Sequence, residues 1–269
     1  MRASLVVRVA RALPPSSVSH YFAPAPPRVF AHRGLAVDAP ENTLLAFARA
    51  VAVGADYIET DVHASSDGMA VVAHDPDLSR VAGAKATVDS LSMDELRGVD
   101  LGFDQGFCSL NEALDTFADT RFNIDIKVAA AIAPTVEAIR KANAASRVLV
   151  TSFSDKRRLA ALRELPAVAT SASARTFATA VVAARAGNSR LTARALRGVS
   201  AVQVPERALG ISVTTRRMIE RMHAAGVEVH IWTINDPVRM RDLLELGVDG
   251  LVTDRADLAL EVVRAYSSP

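Results

Sequence analysis

From Val29 onward, short runs rich in β-branched and aromatic residues alternate with stretches whose apolar positions recur at helical spacing. The β-rich runs read RVFAHRG, DYIETDV, RFNIDIK, RVLVTSF, AVATSAS, SAVQVPE, EVHIWTI and GLVTD. Between them, ENTLLAFARAVAVG places Leu44, Phe47, Ala48 and Val51 on one stripe and stops at Gly54. TTRRMIERMHAAG and DPVRMRDLLELG follow the same pattern and stop at Gly226 and Gly247. Glycine just past the last turn is the usual helix stop. Alternation of strand and helix predicts a parallel sheet. Eight strands over roughly 240 residues fit an α/β TIM barrel, the (β/α)8 fold of about 250 residues. The segment ASSDGMAVVAHD interrupts the alternation after the second strand, and its Asp67-Gly68 pair predicts a short antiparallel hairpin insertion. An open doubly wound sheet would want a glycine-rich first turn such as GxGxxG, which HRGLAVDAPENT lacks.

Composition narrows the class. The chain has 269 residues, 50% of them apolar and 23% charged, with a formal net charge of +1. That balance suits a soluble globular protein with a large core and argues against nucleic-acid binding by bulk electrostatics. No apolar run approaches the roughly 20 residues of a membrane span. The single cysteine, Cys108, cannot form an internal disulfide and reads as a small buried hydrophobe. These features lead to an expectation of a cytoplasmic protein. Residues 1–27 are basic and end in the Pro-rich stretch PPSSVSHYFAPAPP. They are expected to be a loosely ordered extension, open to weak peripheral membrane contact, ahead of a barrel over 28–269.

The second strand carries a chemical anomaly. Glu59 and Asp61 share one face of the DYIETDV run, about 6.5 Å apart along the strand. Two such charges repel unless a cation, a shared proton or water relieves them. In a barrel the C-terminal strand ends form the active face. Those ends offer His32-Arg33, Glu59, Asp61, His74-Asp75, Asp125, Lys127, Trp232, Thr233, Asn235 and Asp254. Glu59, Asp61 and Asp125 supply only oxygen, which suits a hard cation such as Mg²⁺ or Ca²⁺. Arg33 and Lys127 fit an anion such as phosphate. His32 and His74 carry imidazoles, side chains able to give or take a proton near neutral pH. A cation, a basic clamp and two proton carriers around one anion are the layout of phosphoryl chemistry.

Each piece also has a purely structural reading. His-Arg-Gly is a common turn, and His74-Asp75 can be a turn with a capping aspartate. Asp125 and Lys127 can neutralise each other, and Trp232 can be core or wall. His20, His63, His223 and His230 are read as structural or surface residues.

The motifs AHRG, PENT, GADYIETDVHASSDGMAVVAHD, NIDIK, HIWTIND and GVDGLVTDRAD occur in that order from about Val29 to Val263. This arrangement resembles the glycerophosphodiester phosphodiesterases. The resemblance implies a metal-dependent TIM barrel that cleaves small glycerophosphodiesters to glycerol 3-phosphate and an alcohol. It implies that His32 and His74 are the acid/base pair, and that Glu59, Asp61 and Asp125 bind Mg²⁺ or Ca²⁺. It further implies that Arg33 and Lys127 hold the phosphate and that Trp232 walls the glycerol. In relatives the neighbouring substrate hydroxyl attacks first and water opens the cyclic phosphate. The third ligand position commonly holds glutamate, so Asp125 must approach more closely or act through water. The stretch between His74 and Ser109 reads as short for the family, which implies an open mouth.

Three alternative readings fit parts of the same pattern. A lysophospholipase D-like or sphingomyelinase-like phospholipase keeps the fold; its disulfide-bearing secreted relatives fit poorly with one cysteine. A catalytically silent anion-binding barrel is disfavoured by the presence of both histidines and the E-x-D pair. A metal-free sugar-phosphate isomerase barrel leaves that pair unexplained.

Overall fold

The structure, a computed structural model, describes residues 20–208 and 210–267. Along the chain, β1 (Arg28–His32), α1 (Leu44–Ala52), β2 (Tyr57–Ala64) and β3 (Ala70–Val72) lead to two short helices, α2 (Ser79–Ala82) and α3 (Met93–Arg97). Then come α4 (Leu110–Thr116), β4 (Arg121–Ile126), α5 (Ile132–Lys141), β5 (Val148–Thr151), α6 (Asp155–Glu164) and β6 (Ala169–Thr170). Next follow α7 (Ala174–Arg185), α8 (Ser189–Ala195), β7 (Ala201–Val204) and the hairpin of β8 (Arg207–Ala208) and β9 (Ile211–Ser212). The chain ends with α9 (Arg216–Ala224), β10 (Glu228–Ile231), α10 (Pro237–Leu246), β11 (Gly250–Thr253) and α11 (Ala256–Ser267).

The main sheet runs β6-β5-β4-β2-β1-β11-β10-β7, and its neighbours are parallel. A parallel bridge between Ser171 and Ala201 brings β6 to β7 and closes the ring. All eight β-rich runs therefore become barrel strands. Alternation along each strand sorts side chains into two layers. Ile58, Val62, Phe122, Ile124 and Val150 pack outward beneath the helices. Phe30, Tyr57, Leu149 and Val252 fill the lower barrel interior.

The predicted hairpin is present: β3 pairs antiparallel with β2, with His63 opposite Val71, around Asp67-Gly68. It opens a larger insertion. Residues 65–109 carry α2 and α3 over an apolar cluster of Val71, Leu78, Val88, Met93, Leu96 and Phe107. The insertion is thus a small packed unit beside the mouth.

Two expectations need correction. On α1 the buried residues are Ala46, Phe47 and Ala50, while Ala48 and Val51 face solvent. Choosing the bulkiest apolar residues displaced the stripe; small alanines let the helix backbone come close to the strands, and Leu35 N–H reaches Ala46 O at 2.9 Å.

The boundary at residue 27 also falls too late. Tyr21 is fully buried, and Tyr57 Oη donates to its carbonyl at 2.6 Å. Arg28 donates to the carbonyls of Phe22 and Pro24, and Arg121 to that of His20. Residues 20–27 therefore close the lower end of the barrel, because an aromatic side chain there covers apolar surface that would otherwise be wet. The rest of the expected extension, 1–19, lies outside the described residues. Among the described residues no helix is long and apolar enough to cross a membrane.

Candidate active site

Strand register brings the candidates together. Parallel pairing sets His32 beside Glu59 and Asp61 beside Asp125. All four project into the upper barrel, where a cleft of about 410 Å³ is lined by His32, Arg33, Glu59, Asp61, His74, Asp125, Lys127 and Trp232 among others. Every residue singled out for a site role from the sequence therefore lines the same cavity.

His32 closes β1. Its Nδ1 lies 2.6 Å from Asp254 Oδ1, and its Nε2 lies 3.9 Å from Glu59 Oε2. Burial works to lower its pKa, but the Asp254 hydrogen bond and the Glu59 charge outweigh it, and the net shift is upward. Asp254 in turn accepts from Asn235 Nδ2 at 2.7 Å. Asn235 Oδ1 accepts from Thr253 Oγ1 at 3.0 Å and from the Asp254 N–H at 2.9 Å. The carboxylate behind His32 is therefore fixed from two sides.

The chain then turns sharply. Arg33 has φ 56° and Gly34 φ 87°. A Cβ on Gly34 would stand 2.7 Å from Ala46 C, so only glycine lets α1 pack here. This turn aims Arg33 Nη1 at Glu41 Oε1, 3.0 Å away, and places its Nε 3.3 Å from Asp61 Oδ2.

His74 enters from the far side, at the start of the insertion. Its Nδ1 lies 2.7 Å from Asp75 Oδ1, and its carbonyl accepts from His63 Nε2 at 3.1 Å. Burial pushes the His63 pKa down, favouring the neutral ring. In both His32 and His74 an aspartate occupies Nδ1, so Nε2 is the nitrogen left to exchange a proton.

The carboxylates are short of positive charge. Lys127 Nζ lies 2.7 Å from Asp61 Oδ1 and 2.8 Å from Asp125 Oδ2. It was expected on a phosphate; here it balances two carboxylates, the neutralising pair that the sequence also allowed. Asn42 Nδ2 donates to Asp61 Oδ2 at 3.2 Å and its Oδ1 accepts from Thr60 at 2.8 Å. Glu59 Oε2 and Asp125 Oδ1 are buried with no hydrogen-bond donor. Burial first, and then the Asp61 charge, push the Glu59 pKa up to about 8. Burial likewise raises that of Asp125, against the pull of Lys127.

Among the described residues, no three His, Cys, Asp or Glu side chains are already spaced to hold a metal. The donor set nonetheless fits one: three carboxylates, all oxygen, two of them with a buried oxygen that lacks a donor.

Opposite these charges the wall is apolar. Phe153, Phe177, Val204, Pro205, Ala208 and Trp232 line it. Trp232 meets Phe153 edge to face at 6.2 Å, and Phe153 is 60% exposed. Sequence reading placed Asp254 and Asn235 at the strand ends without a role. Glu41 and Asn42 lie in the quoted PENT motif. Asn123 lies in the quoted NIDIK motif; Arg80 belongs to none of the quoted motifs, and no local pattern marks it.

Comparison with known proteins agrees with this geometry. The model of the glycerophosphoryl diester phosphodiesterase family matches residues 32–258. A Mycobacterium tuberculosis protein named "Probable glycerophosphodiester phosphodiesterase 2" is 42% identical over 237 residues, covering 87% of this chain and 90% of its own. A solved glycerophosphodiester phosphodiesterase from Agrobacterium tumefaciens superposes with TM-score 0.72 at 26% identity, covering 88% of this chain and 99% of its own. An Oleispira antarctica phosphodiesterase, solved with the product sn-glycerol-3-phosphate, shares the fold with TM-score 0.72 at 23% identity, over 89% of this chain and 97% of its own. A barrel with two carboxylate-backed histidines and a carboxylate wall at its mouth, matched over nearly its whole length, belongs to the glycerophosphoryl diester phosphodiesterase family and is an enzyme.

Proposed function

We propose that the protein hydrolyses small glycerophosphodiesters to sn-glycerol 3-phosphate and an alcohol, with His32 and His74 as the proton carriers. The observation that carries this reading is that both rings line one cleft, each with Nδ1 held by an aspartate. One neutral imidazole takes the proton from a glycerol hydroxyl as its oxygen attacks phosphorus. The other, protonated, gives its proton to the alcohol oxygen as that P–O bond breaks. Water then opens the cyclic phosphate with the two roles exchanged, so no proton is gained or lost over the cycle. Arg33 presents its guanidinium to the phosphate, and Lys127 stands at the same wall to share that charge. Trp232 forms the face against which the glycerol carbons pack.

Glu59, Asp61 and Asp125 would hold a divalent cation, Mg²⁺ or Ca²⁺. Bound there, it would offset the carboxylate charge and polarise a phosphoryl oxygen. Glycerol 3-phosphate release from glycerophosphocholine and glycerophosphoethanolamine, with each ion and with chelator, tests this. Ion-dependent release is expected. Equal release with chelator refutes the metal, and no release from folded protein refutes the substrate class.

The apolar wall supports a second reading, in which the glycerol carries an acyl chain. Phe153 and Phe177 would then line the chain's path. Under this reading Phe153→Ser lowers kcat/KM for a lysophospholipid and leaves that for glycerophosphoethanolamine unchanged. Equal effects on both contradict it.

A further inference from the structure

Arg80, on the short helix α2 of the insertion, has no part in the chemistry above, yet it reaches both flanks of it. Its Nε donates to Asp75 Oδ2 at 2.5 Å, and the other oxygen of that carboxylate lies 2.7 Å from His74 Nδ1. Its Nη2 and Nη1 donate to Glu41 Oε1 and Oε2 at 2.6 and 3.1 Å. Glu41 Oε1 also accepts from Arg33 Nη1 at 3.0 Å. One guanidinium therefore spans, through two carboxylates, from the ring of His74 to the side chain of Arg33.

This arrangement exceeds what α2 needs to stay folded. Arg80 is half exposed, and solvent-exposed ion pairs add about 0–1 kcal/mol to stability. A planar fork that engages two carboxylates at once fixes orientation instead. Without it, Asp75 and Glu41 would each be free to rotate, and the groups they hold would rotate with them.

We infer that Arg80 is a positioning residue for the reaction, fixing the His74 ring through Asp75 and the Arg33 guanidinium through Glu41. This rests on the roles proposed for His74 and Arg33. Its consequence is that the insertion belongs to the active site: the site is aligned only when α2 is docked.

The test compares Arg80→Ala, Arg80→Lys and His74→Ala in full-length protein with glycerophosphocholine and saturating metal. Arg80→Ala should lose about 10- to 100-fold in kcat, the usual cost of removing a supporting partner, with less change in KM and an unchanged melting temperature. Arg80→Lys should recover little, since a point charge cannot serve both carboxylates. Millimolar guanidinium should restore turnover to Arg80→Ala and leave His74→Ala inactive. In an Asp75→Asn background the Arg80→Ala change should cost markedly less, because the two act in one chain.

Parent-like kcat in Arg80→Ala beside an inactive His74→Ala overturns the inference. So does a kcat loss that tracks a fall in melting temperature, with no guanidinium rescue and no coupling to Asp75. Parent-like kcat in His74→Ala overturns the reading beneath it and the inference with it, and is told apart from the first outcome by the activity of His74→Ala itself.

Discussion

Replacing Asp254 with asparagine keeps the side chain's shape and removes its charge from His32. The 2.6 Å contact with His32 Nδ1 lies at the short end of charge-assisted hydrogen bonds. Such bonds contribute about 1.5–3 kcal/mol. The Asp254 side chain is 48% exposed, so solvent screens part of this. We therefore expect the lower half of the range, about 1.5–2 kcal/mol, or roughly 10- to 30-fold in kcat/KM. A second effect concerns pH. Burial and the Arg33 charge favour the neutral His32 ring, while the Asp254 hydrogen bond, the Glu59 charge and the Asp254 charge raise its pKa. Without the Asp254 charge the pKa falls, and the limb of the pH profile governed by His32 moves to lower pH. The assay is kcat/KM against pH for parent, Asp254→Asn and Asp254→Ala, with thermal melts to confirm folding. A folded Asp254→Asn enzyme with parent-like kcat/KM and an unmoved profile would refute this account of His32.

Three further outcomes follow from the same geometry. At the lower end of the barrel Glu228 accepts from Arg28 at 2.8 and 2.9 Å. Burial works to raise the Glu228 pKa, but hydrogen bonds from Arg28 and His230 hold it down at about 2 against an ordinary 4.5. A depressed carboxylate stabilises the fold above its unfolded pKa and loses that contribution as pH falls through the folded one, so the window runs from about 4.5 down to 2. Glu228→Gln should therefore cost about 3 kcal/mol in urea unfolding at neutral pH, and its deficit against parent should shrink by about 2 kcal/mol near pH 3; an equal deficit at both pH values contradicts this. Gly34→Ala meets Ala46 C at 2.7 Å in a φ +87° turn, so it should destabilise by about 3 kcal/mol and lose activity, read by melting and turnover. Lys127→Met frees Asp61 and Asp125 of their ammonium, so Mg²⁺ or Ca²⁺ should bind about tenfold more tightly by calorimetry while turnover is lost; unchanged affinity would mean that the ion lies elsewhere.

What the chain revealed of itself divides by distance along it. The eight strands were legible because period-two alternation and glycine stops are local. The convergence of His32, Glu59, Asp61, His74, Asp125 and Lys127 was legible once strand ends were read as one face. The supports were not. Asp254 reaches His32 across 222 positions and Arg80 reaches Glu41 across 39. No spacing rule connects residues that meet only when a barrel closes. Tyr21 was lost to a Pro-rich context that reads as linker, although its burial is decided by the open lower end of the barrel. Lys127 was read toward an anion because a strand-end lysine beside carboxylates serves either partner.

The proposed mechanism places one phosphate between His32 and His74, against a carboxylate-bound cation. A crystal structure of the protein with sn-glycerol 3-phosphate and Mg²⁺ or Ca²⁺ tests it most directly. A phosphate is expected within hydrogen-bond reach of both Nε2 atoms and Arg33, with the ion on Glu59, Asp61 and Asp125 at about 2.0–2.6 Å. A phosphate held away from either histidine, or an ion bound by other residues, would contradict it.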